Sequence, residues 1–149
     1  MFAGRYDHAL DEKGRTMMPR RFRDRLAVTQ DRTVWMATPL GAKGHLEVRP
    51  NSSFQSYFER VSKLKSTQVI QDFKRFYFGA ALEVEVDNAG RLLVPAALRQ
   101  RLGLSDKITF IGVDEDYFEI WNPEALDARF ADLQDRGDDI AAQLAELGL

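Results

Sequence analysis

The feature that most constrains this chain is an internal duplication. Residues 11–26, DEKGRTMMPRRFRDRL, align with residues 87–102, DNAGRLLVPAALRQRL, at a constant offset of 76, and seven of the sixteen positions are identical. Average residue usage gives roughly one such match by chance. The identities are Asp11/Asp87, Gly14/Gly90, Arg15/Arg91, Pro19/Pro95, Arg23/Arg99, Arg25/Arg101 and Leu26/Leu102. Further on, Leu46/Phe118, Glu47/Glu119 and Val48/Ile120 align at an offset of 72, as do Phe54/Leu126, Phe58/Phe130 and Val61/Leu133. The loss of four positions is expected in the Gly-rich turn around Pro39–Gly44, where loops tolerate insertion.

Each copy reads as a small β-rich module. Leu82, Val84 and Val86 alternate with Glu83 and Glu85, the pattern of a half-buried strand, and Tyr6–Leu10 is its counterpart. The Gly-Arg pair turns the chain into a short second strand. Pro19 and Pro95 each open a short helix. Two strands follow in each copy, near 33–37 and 45–49, then 107–113 and 117–121. A longer helix closes each copy, with Ser52 or Ser53 as the expected cap in the first and Asn122 in the second. A linking helix near 68–78 turns Ile70, Phe73 and Tyr77 inward and ends at Gly79. The expected organisation is a first repeat over 1–66, a linking helix over 67–80, a second repeat over 81–137 and an acidic helix over 138–149.

Charge is distributed unevenly. Residues 1–25 carry seven Lys/Arg against four Asp/Glu, residues 26–113 twelve against eight, and residues 114–149 two against eleven. The body is basic and the tail acidic, so the total of −2 does not exclude a nucleic-acid partner. With no cysteine and two histidines, no metal site or other cofactor is expected. Arg5, Asp7 and His8 interrupt any signal-peptide pattern, and the longest apolar run, Phe76 to Leu82, is far too short to span a membrane. No Gly-x-Ser-x-Gly, Walker or dinucleotide motif is present, so neither an enzyme nor a small-molecule substrate is expected. Asp114-Glu115-Asp116 lacks the rest of a calcium loop and reads as a charged hairpin turn. Trp35, Phe110, Phe118 and Trp121 are expected in the core or an interface rather than on a base-stacking platform.

The repeated Asp-x-x-Gly-Arg has a physical logic. Gly14 and Gly90 supply positive φ, Asp11 and Asp87 accept hydrogen bonds from turn amides, and Arg15 and Arg91 are held at a fixed point beside the turn. A fixed guanidinium can fork onto a phosphate or a guanine edge. A plain hairpin turn with a local Asp–Arg ion pair is the simpler reading, but turn chemistry alone does not call for Arg twice. Lys13, Arg20, Arg21 and Arg23 add positive charge, giving residues 13–25 six cations against one anion. Ala89 replaces Lys13 in the second copy, so the first copy is expected to carry more of any electrostatic contact.

The paired DEKGR and DNAGR motifs, the Pro and R-x-R-L segments after them and the start MFAGRYDHALDEKGR resemble the MraZ family of bacterial transcriptional regulators over almost the whole chain. The resemblance implies an α+β, AbrB-like swapped-hairpin fold, duplicated, with a β-barrel-like core and peripheral helices. It implies a cytoplasmic, nucleoid-associated, sequence-specific regulator of the division and cell-wall gene cluster. Subunits would close into a ring-shaped homo-oligomer on short direct repeats of double-stranded promoter DNA. Asp11, Gly14 and Arg15 match the first family motif, and Asp87, Gly90 and Arg91 the second. The competing reading is an antitoxin-like interaction module of the same fold class; a small hydrolase has no motif in its favour.

Overall fold

The computed structural model describes residues 1–41 and 44–149. The first copy runs β1 (Gly4–Ala9), β2 (Arg15–Met17), α1 (Arg20–Thr29), β3 (Thr33–Ala37), β4 (His45–Pro50) and α2 (Asn51–Ser62). The second repeats the order as β5 (Leu82–Glu85), β6 (Arg91–Leu93), α4 (Ala96–Leu102), β7 (Lys107–Gly112), β8 (Phe118–Trp121) and α5 (Pro123–Asp135). Between them α3 (Gln68–Phe73) passes into a π-helical turn, Lys74–Phe78, and α6 (Gly137–Glu146) ends the chain.

The copies interleave. In the six-stranded antiparallel sheet the order is β1-β7-β8-β4-β3-β5, and β2 pairs with β6 in a separate ribbon. Each copy therefore sends its first strand to the other: β1 lies on β7 and β5 on β3. The register obeys a pseudo-two-fold axis that passes between Thr16 and Leu92 at one end and between Glu47 and Glu119 at the other. The ribbon bridges the two edge strands, since β1 leads into β2 and β5 into β6. Among the described residues no ladder joins β1 to β5, so the barrel-like core expected from the family resemblance is an open sheet capped by a ribbon.

Pairing also locates the change of offset. Tyr6 faces Phe110 and its equivalent Leu82 faces Met36, which makes Met36 and Phe110 equivalent at an offset of 74. Two positions are thus lost before β7, where α4 has seven residues against ten in α1. The remaining two are lost between the strands of each hairpin. The turn around Pro39–Gly44, part of which lies outside the described residues, accounts for only half of the difference.

The main core sits between sheet, ribbon and short helices. Phe22 is fully buried, with ring centroids 4.8 Å from Phe118 and 5.2 Å from Phe2. Its truncation to alanine would cost about 3–5 kcal/mol. Leu98, its equivalent in α4, joins the same cluster with Phe110, Leu92 and Val94. A second cluster forms outside the sheet, where Trp35 stacks on Phe54 at 4.5 Å and the linking segment inserts Tyr77. There the buried Arg49 guanidinium lies 4.2 Å from the Tyr57 ring and 4.6 Å from that of Tyr117. Its Nε donates to the Tyr77 hydroxyl at 2.8 Å and its Nη2 to Glu47 at 3.3 Å. Burial pushes the Tyr77 hydroxyl pKa well up, so it stays protonated and fixes the linker to β4.

One helix end differs from expectation. The cap of α2 is neither Ser52 nor Ser53. Asp31, from the loop before β3, accepts from the Ser52 amide at 2.9 Å and the Ser52 hydroxyl at 2.7 Å. Asn122 does cap α5, accepting from the Glu124 amide at 2.9 Å, with Pro123 in the first turn. Gly79 closes the π turn in the right-handed region, φ −67°, and a Cβ there would lie 2.7 Å from the Arg75 carbonyl.

Candidate nucleic-acid interface

The two Asp-x-x-Gly-Arg turns are built alike. Gly14 adopts φ +87° and Gly90 φ +84°, values that side chains resist. Asp11 Oδ1 accepts from the Lys13 amide at 3.0 Å and the Arg15 amide at 2.8 Å; Asp87 Oδ1 accepts from the Ala89 and Arg91 amides, both at 2.9 Å. The second carboxylate oxygen takes the Nε–H of Arg15 or Arg91, again at 2.9 Å in each copy. The Arg15 and Arg91 amides, followed by their guanidinium groups, hold the Asp11 and Asp87 carboxyls below the usual carboxylate range. The simple ion pair is therefore real, and it also does something further. It grips each guanidinium by Nε and leaves its two terminal nitrogens without a hydrogen-bond partner among the described residues, with about half of each side chain exposed.

The turns clasp one another. Gly14 O accepts from the Val94 amide at 2.8 Å, and Gly90 O from the Met18 amide at 2.9 Å. Beneath each glycine lies an arginine from the opposite copy. A Cβ on Gly14 would lie 2.5 Å from Arg99 Nε, and one on Gly90 would lie 2.2 Å from Arg23 Cδ. Arg99 donates from Nε to the Val94 carbonyl at 3.0 Å, whereas Arg23 Nε is buried with no hydrogen-bond partner among the described residues. These two arginines, which charge counting groups with the exposed cations, pack against the turns.

The ribbon then brings the motifs together. Thr16 and Leu92 point into the core, so by strand alternation Arg15, Met17, Arg91 and Leu93 share the outer face. Arg15 stands opposite Leu93 and Met17 opposite Arg91, which sets the two arginines diagonally about the axis. Shallow grooves flank them. One, of 390 Å³, is lined by His8, Asp11, Arg15, Met17 and Arg91 among others; the second, of 310 Å³, is lined by Arg15, Glu85, Asp87, Asn88, Arg91 and Leu93. Lys13 is exposed in the first turn, and Arg20 and Arg21 are exposed in the first turn of α1, outside both grooves. Met17, Leu93 and His8 belong to this surface but were not singled out from the sequence. The alternation in Arg15-Thr16-Met17 and Arg91-Leu92-Leu93 was the available signal for the first two. Among the described residues no group of three His, Cys, Asp or Glu side chains is placed to hold a metal ion, and no helix is long and apolar enough to cross a membrane.

Comparison with known proteins agrees with the repeat. The family model described as "MraZ protein, putative antitoxin-like" matches twice, over residues 1–76 and 77–144. A protein of Lachnoclostridium phytofermentans named "Transcriptional regulator MraZ" is 36% identical over 149 residues, covering 100% of this chain and 99% of its own. Its namesake from Thermomicrobium roseum is 38% identical, covering 99% of both chains. That of Heliobacterium modesticaldum is 39% identical over 125 residues, 83% of this chain and 82% of its own.

Proposed function

This chain belongs to the MraZ family, and from that membership and the ribbon geometry we propose that it is a sequence-specific DNA-binding regulator of transcription rather than an enzyme. The observation that carries the reading is the placement of Arg15 and Arg91 on one exposed ribbon face, each gripped through Nε by its own aspartate. Guanidinium groups oriented in advance lose little freedom on binding and present paired N–H donors to phosphate oxygens or to guanine O6 and N7. Lys13, Arg20 and Arg21 supply further phosphate contacts, with Arg23 supporting the surface from below. The target is a set of short direct repeats in the promoter of the division and cell-wall gene cluster to which the protein's own gene belongs. The protein works in the cytoplasm, on the nucleoid.

One ribbon covers few base pairs. A ring of subunits placed on successive repeats multiplies affinity through effective concentration without new contacts. The reading is tested by fluorescence anisotropy with a duplex carrying the tandem promoter repeats and a scrambled duplex of equal length. Arg15→Ala should weaken operator binding about five- to hundredfold if Arg15 reads a base, while the scrambled duplex changes less. Arg91→Ala should act in the same direction but less strongly, since Ala89 leaves its turn without the neighbouring lysine. Equal affinity of the wild type for both duplexes, or no loss in either variant, would refute sequence-specific binding through this ribbon. Sedimentation should show an assembly larger than a monomer. The antitoxin-like wording of the family description keeps a protein-wrapping role as the second reading, and an absence of any DNA binding would favour it.

A further inference from the structure

We propose that His8 is a DNA-contacting residue of the first half of the ribbon, in which a protonated imidazole donates from Nε2 to a backbone phosphate and makes operator binding pH-dependent. The proposal rests on the DNA-binding reading above and adds a residue that neither the motif nor the family match assigns. His8 lies on β1, just before the Asp11 turn, and lines the same groove as Arg15 and Arg91. It stands opposite the buried Ile108, so its ring is on the core side of the sheet, at the rim, edge-on to Phe110 at 5.4 Å. Its Nδ1 contacts the Met17 carbonyl oxygen. A carbonyl can only accept, so Nδ1 must carry the hydrogen, and the tautomer is fixed. Nε2 makes no hydrogen bond to another described residue. In the neutral ring Nε2 offers a lone pair, which a phosphate repels. In the protonated ring it offers a donor and a positive charge.

The charge matters because the ribbon is otherwise balanced. Arg15 is paired with Asp11 and Arg91 with Asp87, so the four central groups sum to zero. Among the described residues that line the groove, a proton on His8 is then the one charge without an ion-pair partner. Of the other groups near its strand, Asp7 feels the His8 charge but is already engaged elsewhere. Asp7 is on the opposite face, accepting from Thr109 Oγ1 at 2.6 Å and from Arg5. Lys107 faces Ala9 and therefore also lies on that opposite face. In the second copy the position of His8 is taken by Val84, so the effect belongs to one half of the ribbon only.

The test is operator affinity between about pH 5.5 and 8.0 at constant ionic strength. Wild type should bind about three- to tenfold more tightly at the acid end, approaching uptake of one proton per contact. His8→Gln should retain binding at pH 8 and lose that slope, while His45→Gln keeps it. Arg15→Ala serves as the control: if wild type shows no operator binding at any pH, the DNA reading itself fails. If Arg15-dependent binding is present without a pH slope, or with the same slope in His8→Gln, only the His8 proposal fails. An NMR titration of the wild-type imidazoles, free and on the operator, removes any dependence on the folding of the variant. A rise in the His8 pKa on DNA supports the contact. An unchanged value overturns it, and so does a fall, which would mark a neutral ring accepting from a base.

Discussion

Alanine at Gly14 and alanine at Gly90 are equivalent changes by sequence, yet the structure assigns them different costs. Both glycines hold similar positive φ, +87° and +84°, so the backbone penalty of about 1–2 kcal/mol is shared. What the new methyl meets is not shared. At Gly14 it would lie 2.5 Å from Arg99 Nε and 2.7 Å from the Val94 carbonyl oxygen. At Gly90 its three nearest neighbours are Cδ, Nη1 and Nε of Arg23, at 2.2, 2.8 and 3.0 Å. A long side chain can swing away. The Val94 carbonyl cannot move freely, because the Val94 amide is already bonded to Gly14 O at 2.8 Å. Forced displacement in a packed site adds about 1–3 kcal/mol at Gly14. For a chain of 149 residues each kcal/mol moves Tm by about 2–4 °C, so Gly14→Ala should melt about 2–12 °C below Gly90→Ala. Calorimetric melts of both variants check this, together with Arg23→Ala/Gly90→Ala and Arg99→Ala/Gly14→Ala, each referred to its arginine single. Removing Arg23 should recover part of the loss at Gly90, whereas removing Arg99 should leave most of the loss at Gly14, since the carbonyl remains. A Gly90 variant as unstable as the Gly14 variant, or full rescue of Gly14→Ala by Arg99→Ala, would refute the reasoning.

Operator affinity should fall with salt at a log–log slope of about −0.9 for each phosphate neutralised, and Arg15→Ala should make that slope shallower by about one per engaged subunit. A flat salt dependence would exclude the basic surface. Tyr77→Phe leaves the buried Arg49 Nε without its acceptor and should cost about 1–3 kcal/mol, seen as a lower Tm with operator affinity retained. The folded-state pKa values of Asp11 and Asp87 are depressed, so their contribution to stability is complete above the unfolded value of about 3.9 and is lost as pH falls through the folded value. Asp11→Asn/Asp87→Asn should therefore flatten the acid limb of the stability profile below about pH 4, which denaturant melts at stepped pH would show. Deleting residues 138–149 removes three carboxylates, no cation and no buried side chain of α6. Binding should be unchanged or tighter, and a marked loss of affinity in a folded truncation would contradict a tail that stays off DNA.

Much of the fold was legible because the duplication makes each half a check on the other. Strands, short helices, the Asn122 cap and the turn glycines all follow from local chemistry. The partner choice of the strands does not, and only the family resemblance implied that the copies interleave. Alignment shows that Tyr6 and Leu82 are equivalent but not that each pairs with a strand of the other copy, because the hydrophobic pattern of an edge strand is the same on either neighbour. Arg23 and Arg99 were legible as cations, not as packing, since only the closed turn places a glycine over them. The Asp31 cap escaped for the same reason: it comes from a loop 21 residues before Ser52 in the chain. For Arg15 and Arg91 the motif identified the residues, while the ribbon that sets them side by side emerged only with the β2–β6 register.

Covalent linkage of the two interleaved copies has a consequence for what the surface can become. Two identical chains exchanging strands would carry every substitution twice, once on each side of the axis, and their ribbon would present the same face in either orientation. Here the axis relates unlike residues: His8 to Val84, Glu12 to Asn88, Lys13 to Ala89 and Met17 to Leu93. The interlocked glycines and aspartates keep both turns in one shape while the positions around them drift independently. A single subunit can thus have a front and a back on the double helix, and a row of such subunits can point all one way.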